Sequence, residues 1–509
     1  MSHRFQRAGL AAALMLALGA PTLPGRAGTE SSQMSRLLQL EQARSLGGGA
    51  LARMLDTGSE PLAVRAALAL GRTKQAAAAS VLLGHVRDRR PAVRAMALYA
   101  LGLLADGQGV VAMLHGMRDR NSAVRVGALD ALDRETVAGQ LSPAQLPRVA
   151  AAEIHAALHD RNPILRRIAA IDLVAFHKTA QAGVALATLD RVFGRDAAIA
   201  VRRAAMWALF RGYATKVPRT LLLAALANHD SVVRIEAVRA VGLSHDPAMI
   251  SALEPLLGDR SWRVQEQAAE SIRALRNQSP TIHWKAIPPG IHLPNVGHNP
   301  LDALPSLPRP PQPLRAAVPD PSHALAAPLL DPTDAALMVG PAPGMHPRVR
   351  IVTTKGNIYL MLFPEWAPLT VENFLNVAAR GYYDNQPWFR IVPDFVVQTG
   401  DPSANAPGLG YTIGAEENPM MQGSGVLSMG LDYPNGKAAR DSAGTEYYIT
   451  LSPQYHLDRD FTVFGRVIGG AAVLAHLVES DRVLRIDRIP DVMVSAATAD
   501  FIKPRTSIS

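Results

Sequence analysis

The sequence predicts a multidomain protein in which an all-α solenoid of stacked helix pairs precedes a closed antiparallel β-barrel with two capping helices. Three observations predict this fold. A short phrase ending in arginine recurs in the first half at steps of 29 to 41 residues. Prolines then crowd a central stretch, and short alternating apolar runs fill the second half. With 509 residues and 48% hydrophobic content, the chain can build at least two cores.

The first residues have the three-part pattern of an export signal. Arg4 and Arg7 precede an apolar run over 8–20, and the small residues around Ala27 predict cleavage after that position. The run is too short to span a bilayer comfortably. Because the chain contains no cysteine, it can form no disulfide and carry no cysteine-linked lipid. We therefore expect a signal peptide at 1–27 and an exported protein, periplasmic if the source is a Gram-negative bacterium.

The recurring phrase predicts a helical solenoid over residues 36–277. A clear copy reads Asp-Arg-Asn-Pro-Ile-Leu-Arg, in which Asp or Asn can cap a helix and proline fits its first turn. An Ala- and Leu-rich stripe follows each phrase and a second helix precedes it, so each repeat is a helix pair. The copies end at Arg65, Arg94, Arg125, Arg166, Arg202, Arg234 and Arg263.

These repeats resemble the short HEAT-like repeats first noted in phycobilisome lyases. The resemblance implies an extended curved surface for a protein partner and does not imply lyase chemistry. The repeated arginines could form a ladder that binds anions, since the net charge is +9. A structural role is the better prediction, because an arginine one turn after a capping acid can bridge neighbouring repeats. A solenoid that binds acidic polymer stays open and predicts salt-dependent binding.

Residues 278–346 predict a proline-rich linker. Seventeen of the 38 prolines lie between positions 280 and 347, so neither helix nor sheet can run through this stretch. We expect an extended, semi-rigid spacer, or alternatively a segment that packs along the solenoid through Trp284 and Ile287. No acidic or cysteine ligands join its histidines, so we expect no metal site. No nucleic-acid motif and no membrane span are apparent in the sequence, so we expect neither as a partner.

From Val349 the apolar pattern changes to period two, which predicts a hairpin of 349–353 and 358–363 around a Lys-Gly-Asn turn. Thr370 is predicted to cap a helix that ends at Gly381. A second helix is predicted at 471–478. Further short strands are predicted at 389–393, 395–398, 425–429, 447–451 and 462–468.

Four motifs in this half occur in the order of one known family. The stretch 388–401, Trp-Phe-Arg-Ile-Val-Pro-Asp-Phe-Val-Val-Gln-Thr-Gly-Asp, is similar to the cyclophilin signature F-H-R-x-x-x-x-F-x-x-Q-x-G-D. Gly-Val-Leu-Ser-Met at 425–429 and Gly-Thr-Glu-Tyr-Tyr-Ile at 444–449 resemble the next two blocks. His-Leu-Asp and Thr-Val-Phe-Gly-Arg-Val within 456–467 resemble the fourth. The resemblance covers 347–500 and implies a peptidyl-prolyl cis/trans isomerase that needs no metal and no cofactor.

The resemblance also implies which residues act. Arg390 is expected to stabilise the twisted amide of an X-Pro bond through its permanent charge, and Gln398 to position it. An isolated arginine is more often a surface ion pair, but the spacing from Arg390 to Phe395 and Gln398 favours catalysis. Proline-containing polypeptides are the expected substrates. The expected substrate-binding residues are Phe395, Val396, Met429, Gly430, Glu446, Tyr448, His456, Leu457 and Phe461.

Several positions depart from the family pattern. Phe389 replaces a histidine of the signature, and Glu446 adds negative charge where many relatives have glutamine. Tyr448 replaces phenylalanine and is expected to keep its hydroxyl towards water. His456 replaces a common tryptophan, which predicts weak cyclosporin binding. We expect an active isomerase that assists the folding of exported proteins while the repeats recruit partners or clients; the alternative is a weak or inactive scaffold that only binds proline segments.

Overall fold

The computed structural model describes residues 24–278, 286–287, 293–309, 345–400, 411–433, 438–458 and 460–493. The chain divides into two compact units. The first contains the described residues from Leu55 to 278 and is helical. The second contains the described residues before Leu55 together with those from 286 onwards, and it holds the β-sheet.

Paired helices build the N-terminal half, as the repeat pattern predicts. The helices that follow the repeated phrase pack against one another in one continuous row, and from the second phrase onwards each also contacts the helix before its phrase. The helices are α1 (Pro24–Gln42), α2 (Ala50–Thr57), α3 (Glu60–Arg72), α4 (Ala77–His85), α5 (Pro91–Leu104), α6 (Val110–Gly116), α7 (Ser122–Val137), α8 (Leu146–His159), α9 (Pro163–Asp172), α10 (Ala182–Arg195), α11 (Ile199–Tyr213), α12 (Arg219–Leu226), α13 (Ser231–Gly242), α14 (Ile250–Leu253) and α15 (Trp262–Leu275).

The bridging role predicted for the repeated arginines is confirmed for Arg94, Arg125, Arg166 and Arg234. Arg125 Nε donates to Asp160 Oδ2 of the next repeat at 2.8 Å, and its Nη2 donates to the other carboxylate oxygen at 2.9 Å. In one repeat Arg203 makes the bridge in place of the predicted Arg202. Such bidentate pairs fix both distance and angle between neighbouring repeats. The bridges are Arg94–Asp119, Arg125–Asp160, Arg166–Asp196, Arg203–Asp230 and Arg234–Asp259.

In five repeats the aspartate of the phrase is not the helix cap but lies two residues before it: Asp88, Asp119, Asp160, Asp196 and Asp259. Asn121 caps α7 by accepting from Ala123 N at 2.8 Å, and Asp119 lies two residues earlier. Asp119 accepts from the backbone N–H of Asn121 at 2.8 Å, and it also accepts a hydrogen bond from Arg94 Nε of the preceding repeat. One aspartate therefore fixes the turn before the helix and joins two repeats.

The C-terminal half forms one nine-stranded antiparallel sheet in the order β3-β9-β1-β2-β8-β6-β7-β5-β4. Its edge strands β3 and β4 are separated in sequence only by Trp388 and Phe389, so the sheet curls back on itself. No hydrogen-bonded ladder joins these two edges within the described residues, so the closure expected of a barrel is absent from the strand pairing. The strands are β1 (Met345–Thr353), β2 (Gly356–Leu362), β3 (Gln386–Pro387), β4 (Arg390–Val392), β5 (Val396–Thr399), β6 (Val426–Met429), β7 (Tyr447–Thr450), β8 (Val463–Gly469) and β9 (Arg482–Met493).

Two helices accompany the sheet. Helix α16 (Pro368–Ala379) packs against β9, and α17 (Ala471–His476) packs against β2. The predicted cap Thr370 lies inside α16, which starts at Pro368. The Glu416 carboxylate caps it instead, accepting from Thr370 N at 2.8 Å and from the preceding N–H at 3.2 Å. A carboxylate at this end also complements the helix dipole.

Residues 293–309 belong to the sheet-containing unit, which corrects their predicted role as an extended spacer. Asp302 accepts hydrogen bonds from the Tyr359 hydroxyl and from Asn357 Nδ2 on β2. Leu307 N donates to the Arg488 carbonyl on β9 at 2.7 Å. Arg309 forms a bidentate pair with Asp384 at 2.9 Å. We call residues 296–309 the strap; the rest of the predicted linker, apart from residues 278, 286–287, 293–295 and 345–346, lies outside the described residues.

A segment near the N-terminus also belongs to this second unit, although the solenoid was predicted to start at residue 36. Arg44 donates to Asp441 Oδ1 at 2.6 Å and to the Ala415 carbonyl at 3.2 Å. The predicted signal core lies outside the described residues, and the predicted cleavage point after Ala27 falls within α1. Across the described chain, every helix is too short or too polar to cross a membrane.

Candidate active site

The candidate site begins as a row of residues that lie opposite one another on neighbouring strands. Arg390 on β4 pairs with Gln398 on β5, which pairs with Tyr448 on β7, which pairs with Ser428 on β6. Directly opposed residues project from the same face of a sheet. The next row, Ile391, Val397, Ile449 and Leu427, projects from the other face and is at most 1% exposed. The strands thus bury one face as core and keep the other for polar and aromatic side chains.

Arg390 is held from two sides. Its Nη1 donates to Gln398 Oε1 at 2.9 Å, and its guanidinium carbon lies 5.2 Å from the centre of the Phe395 ring. Burial lowers the pKa of Arg390 from its ordinary value, while the charge of Glu446 acts to raise it. An arginine side chain stays protonated at any physiological pH. The site therefore contains a fixed, partly desolvated cation against an aromatic ring.

Glu446 sets the orientation of the Gln398 amide. Gln398 Nε2 donates to Glu446 Oε1, and an ionised carboxylate can only accept. Gln398 must therefore turn its oxygen towards Arg390. Gly430 makes room for this arrangement, because a Cβ at that position would lie 2.8–3.0 Å from the Glu446 side chain. The predicted residues Gln398, Gly430 and Glu446 form one connected group with Arg390.

Phe395 projects from the turn between β4 and β5. Asp394 occupies this turn with φ +52°, a left-handed conformation that aspartate tolerates in three-residue hairpin loops. Its carbonyl accepts from Gln454 Nε2 at 3.0 Å, which fixes the turn against the segment before His456. The rings of Phe395 and His456 stack with centres 5.8 Å apart. Predicted Leu457 lies in the same short 3₁₀ turn as His456 and is half-buried.

Aromatic rings also line the side of Tyr448. Phe461 packs edge-on against Tyr448 with ring centres 5.5 Å apart, and Tyr433 lies 6.2 Å beyond Phe461. The sequence analysis did not identify Tyr433, which is 54% exposed. The only signal in the sequence was an aromatic residue shortly after the 425–429 motif. The expectation that the Tyr448 hydroxyl faces water is wrong, because that oxygen is buried near Ser428. Burial raises the pKa of Tyr448 well above its ordinary value.

Two predicted substrate-binding residues are buried in the sheet. Met429 lies opposite Tyr447, whose ring packs against Phe374 in the core, so Met429 projects away from the face of Arg390. Its prediction as a contact residue is not supported by this geometry. Val396 lies two residues before Gln398 and shares its face, but is only 1% exposed. The Val396 side chain can therefore pack under the exposed residues of the site but offers almost no surface to a substrate.

Family models match both halves of the chain. The model for the cyclophilin type peptidyl-prolyl cis-trans isomerase family matches residues 348–497. The model for HEAT repeats matches residues 218–282, within the predicted solenoid and just beyond its end. The two predicted resemblances are therefore confirmed.

Curated relatives match the C-terminal half. Peptidyl-prolyl cis-trans isomerase-like 1 of Aspergillus niger is 39% identical over 131 residues, which are 25% of this chain and 77% of that protein. The protein of the same name from Rhizopus delemar is 35% identical over 159 residues, 30% of this chain and 93% of the relative. Peptidyl-prolyl cis-trans isomerase CYP18-2 of Arabidopsis thaliana is 38% identical over 140 residues, 26% of this chain and 82% of the relative.

These relatives correct the predicted location. They come from fungi and a plant, not from the periplasm of a Gram-negative bacterium, so the expectation of an exported periplasmic protein is wrong. The match in sequence covers more than two thirds of each of these relatives, and the family-model match over 348–497 includes Arg390, Gln398 and their strands. The chain therefore belongs to the cyclophilin-type peptidyl-prolyl cis-trans isomerase family and carries HEAT repeats before its isomerase domain.

Proposed function

We propose that the isomerase domain accelerates X-Pro isomerisation in folding polypeptides, with Arg390 as the catalytic residue and Gln398 as its positioning residue. The observation that carries the proposal is the fixed guanidinium, hydrogen-bonded to Gln398 and packed over Phe395. We also propose that the curled sheet and its two helices form a capped barrel whose edge strands β3 and β4 meet without a hydrogen-bonded ladder.

The chemistry required is electrostatic. An amide resists rotation by about 18–20 kcal/mol because resonance holds it planar. In the twisted state the proline nitrogen becomes pyramidal and accepts a hydrogen bond that the planar amide cannot accept. Among the described residues only Gln398 accepts from Arg390, so other guanidinium N–H groups are available for that nitrogen. A hydrogen bond made only in the twisted state lowers the barrier to rotation, because it stabilises the transition state and not the planar ground state.

The aromatic side chains supply the grip on proline. Phe395 with His456, and Phe461 with Tyr433, present ring faces and edges beside the Arg390 row. Apolar rings bind the proline ring by excluding water from it, and they leave the cation in a medium where its field is stronger. Leu457 and Gly430 complete this proposed binding surface, and no step of the reaction calls for a metal or cofactor.

The HEAT repeats are proposed to recruit a protein partner or client. Their stacked helices are held in fixed relative positions by the arginine–aspartate bridges, which gives an extended surface with a regular repeat. Such solenoids suit long contacts with another polypeptide. A recruited client would raise the effective concentration of its prolines near the isomerase domain.

A second candidate function is a scaffold that binds proline segments with little catalysis. Two observations favour it: the Glu446 charge acts on Arg390, and Tyr448 places a buried hydroxyl beside the site. Both features alter the polarity around the guanidinium. They do not remove its hydrogen bond to Gln398.

A protease-coupled assay on an Ala-Pro peptide separates the two candidates. The wild-type chain is expected to exceed the uncatalysed rate, and Arg390→Ala to lower kcat/KM by about 100-fold or more. Arg485→Ala, an exposed arginine on β9, is the matched control and should retain the wild-type rate. A wild-type rate at background would leave only the scaffold. Full activity of Arg390→Ala would remove Arg390 from the mechanism.

A further inference from the structure

The solenoid carries a second set of arginines, distinct from those that bridge the repeats. They lie next to Asp88, Asp119, Asp160 and Asp196 in the turns between paired helices, and all are exposed. None of them has a carboxylate partner within the described part of the chain. We call them the arginine ridge: Arg87, Arg89, Arg118, Arg120, Arg161 and Arg195.

The acids between the ridge residues are already neutralised. Asp119 is held by Arg94 and Asp160 by Arg125, each through two hydrogen bonds. Asp88 is paired twice with Arg90, which holds its pKa at about 2. Each turn therefore has a closed ion pair and at least one additional cation. The ridge keeps its positive charge because its neighbouring carboxylates are occupied.

The spacing of the ridge limits what it can bind. Stacked helices lie roughly 8–10 Å apart, so successive turns present their cations at about that interval. A polyproline II segment advances about 9.3 Å in each turn of three residues. An acidic residue at every third position of such a segment would meet one turn of the solenoid after another.

We propose that the arginine ridge binds extended, proline-containing polypeptide segments with regularly spaced Asp or Glu. The choice of a polypeptide rests on the proposed function, because the isomerase domain acts on proline-containing chains. Nucleic acid is the less suitable anion: single-strand binding relies on stacking on aromatic rings, and the ridge turns at 86–90, 117–121, 159–162 and 195–198 contain no Phe, Tyr or Trp, with His159 as their one imidazole ring.

The test uses the full chain and a fluorescent peptide of Glu-Pro-Pro repeats, followed by anisotropy. The ridge variant is Arg89→Glu, Arg120→Glu and Arg161→Glu together. The control variant makes the same charge change on exposed cations of the same unit that lie off the ridge: Arg148→Glu, Lys178→Glu and Lys216→Glu. The ridge variant is expected to bind at least about tenfold more weakly, and the control to stay near wild type.

Three comparisons make the outcome decisive. Binding should weaken as salt rises from about 0.05 to 0.5 M, since exposed charges are screened over that range. A Gln-Pro-Pro peptide should bind poorly. Equal losses in the ridge and control variants, or equal binding of the Gln peptide, overturns the proposal. A ridge-dependent preference for oligothymidylate over the acidic peptide overturns it in favour of nucleic acid.

Folding and catalysis are monitored separately. Each variant should keep the wild-type thermal unfolding profile and the wild-type rate on the short Ala-Pro peptide, which carries no acidic residue. Milder Arg→Gln changes at the same three positions should give a smaller loss in the same direction. An inactive wild type that still binds the acidic peptide through the ridge would remove the isomerase mechanism and leave the ridge as a binding site.

Discussion

The substitution Gln398→Leu tests whether catalysis requires the hydrogen bonds that orient Arg390, in addition to the charge of Arg390 itself. The substitution keeps a side chain of similar volume and removes both polar contacts of Gln398. Arg390 Nη1 loses its acceptor at 2.9 Å, and Glu446 loses a donor. Arg390 would remain charged and over Phe395, but with its angle no longer fixed.

The expected cost follows from those two contacts. A hydrogen bond to a charged group contributes about 1.5–3 kcal/mol when both partners are protected from water. Arg390 and Glu446 are only half-buried, so water can replace part of each bond. We expect about 1.4 kcal/mol to be lost from transition-state stabilisation, which is about tenfold in kcat/KM. The loss should fall on kcat, because the aromatic grip on proline is unchanged.

The protease-coupled assay at several substrate concentrations measures this split. Gln386→Leu is the matched control, since it makes the same exchange on β3, which pairs with β9 and not with β5. That control should lower stability without lowering kcat. An unchanged kcat in Gln398→Leu, or an equal loss in Gln386→Leu, would refute the positioning role.

Two further predictions concern stability. Asp302→Ala in the strap should lower the free energy of unfolding by about 1–3 kcal/mol, because it leaves the Tyr359 hydroxyl and the Asn357 amide without their acceptor; urea titration measures this, and an unchanged midpoint contradicts it. Burial raises the pKa of Glu365 from 4.5 to about 8, so the folded chain holds a proton that the unfolded chain releases, and stability should fall as pH rises between these values. Glu365→Gln should therefore gain thermal stability relative to wild type towards pH 8; parallel profiles across the range would exclude this role.

Much of the isomerase site could be predicted because its residues are close in sequence. Arg390, Phe395 and Gln398 lie on one hairpin, whose register is set by the alternation of strand residues and by its turn. The spacing of these residues in the sequence therefore predicts their positions relative to one another in the structure. The solenoid could be predicted for a similar reason, because the phrase marks the start of one helix in each repeat and, in most repeats, a bridge to the next one.

The remaining features depend on contacts between distant residues. Strand β9 was missed because Pro490 and several charged residues interrupt its apolar pattern, although it pairs along most of β1. Met429 lies in a family motif, but the face of the sheet from which it projects is set by its pairing with Tyr447 on β7. The strap was predicted to be a proline-rich spacer because its contacts depend on single polar residues such as Asp302. Their partners on β2 lie more than 50 residues away in the sequence and cannot be identified from it.

The Arg44–Asp441 ion pair joins residues that are 397 positions apart. At a synthesis rate of about 5–20 residues per second, the aspartate emerges roughly 20–80 seconds after the arginine. During that interval the early segment has no partner in the unit it will complete. The ion pair between residues 44 and 441 can therefore form only when synthesis of the chain is nearly complete.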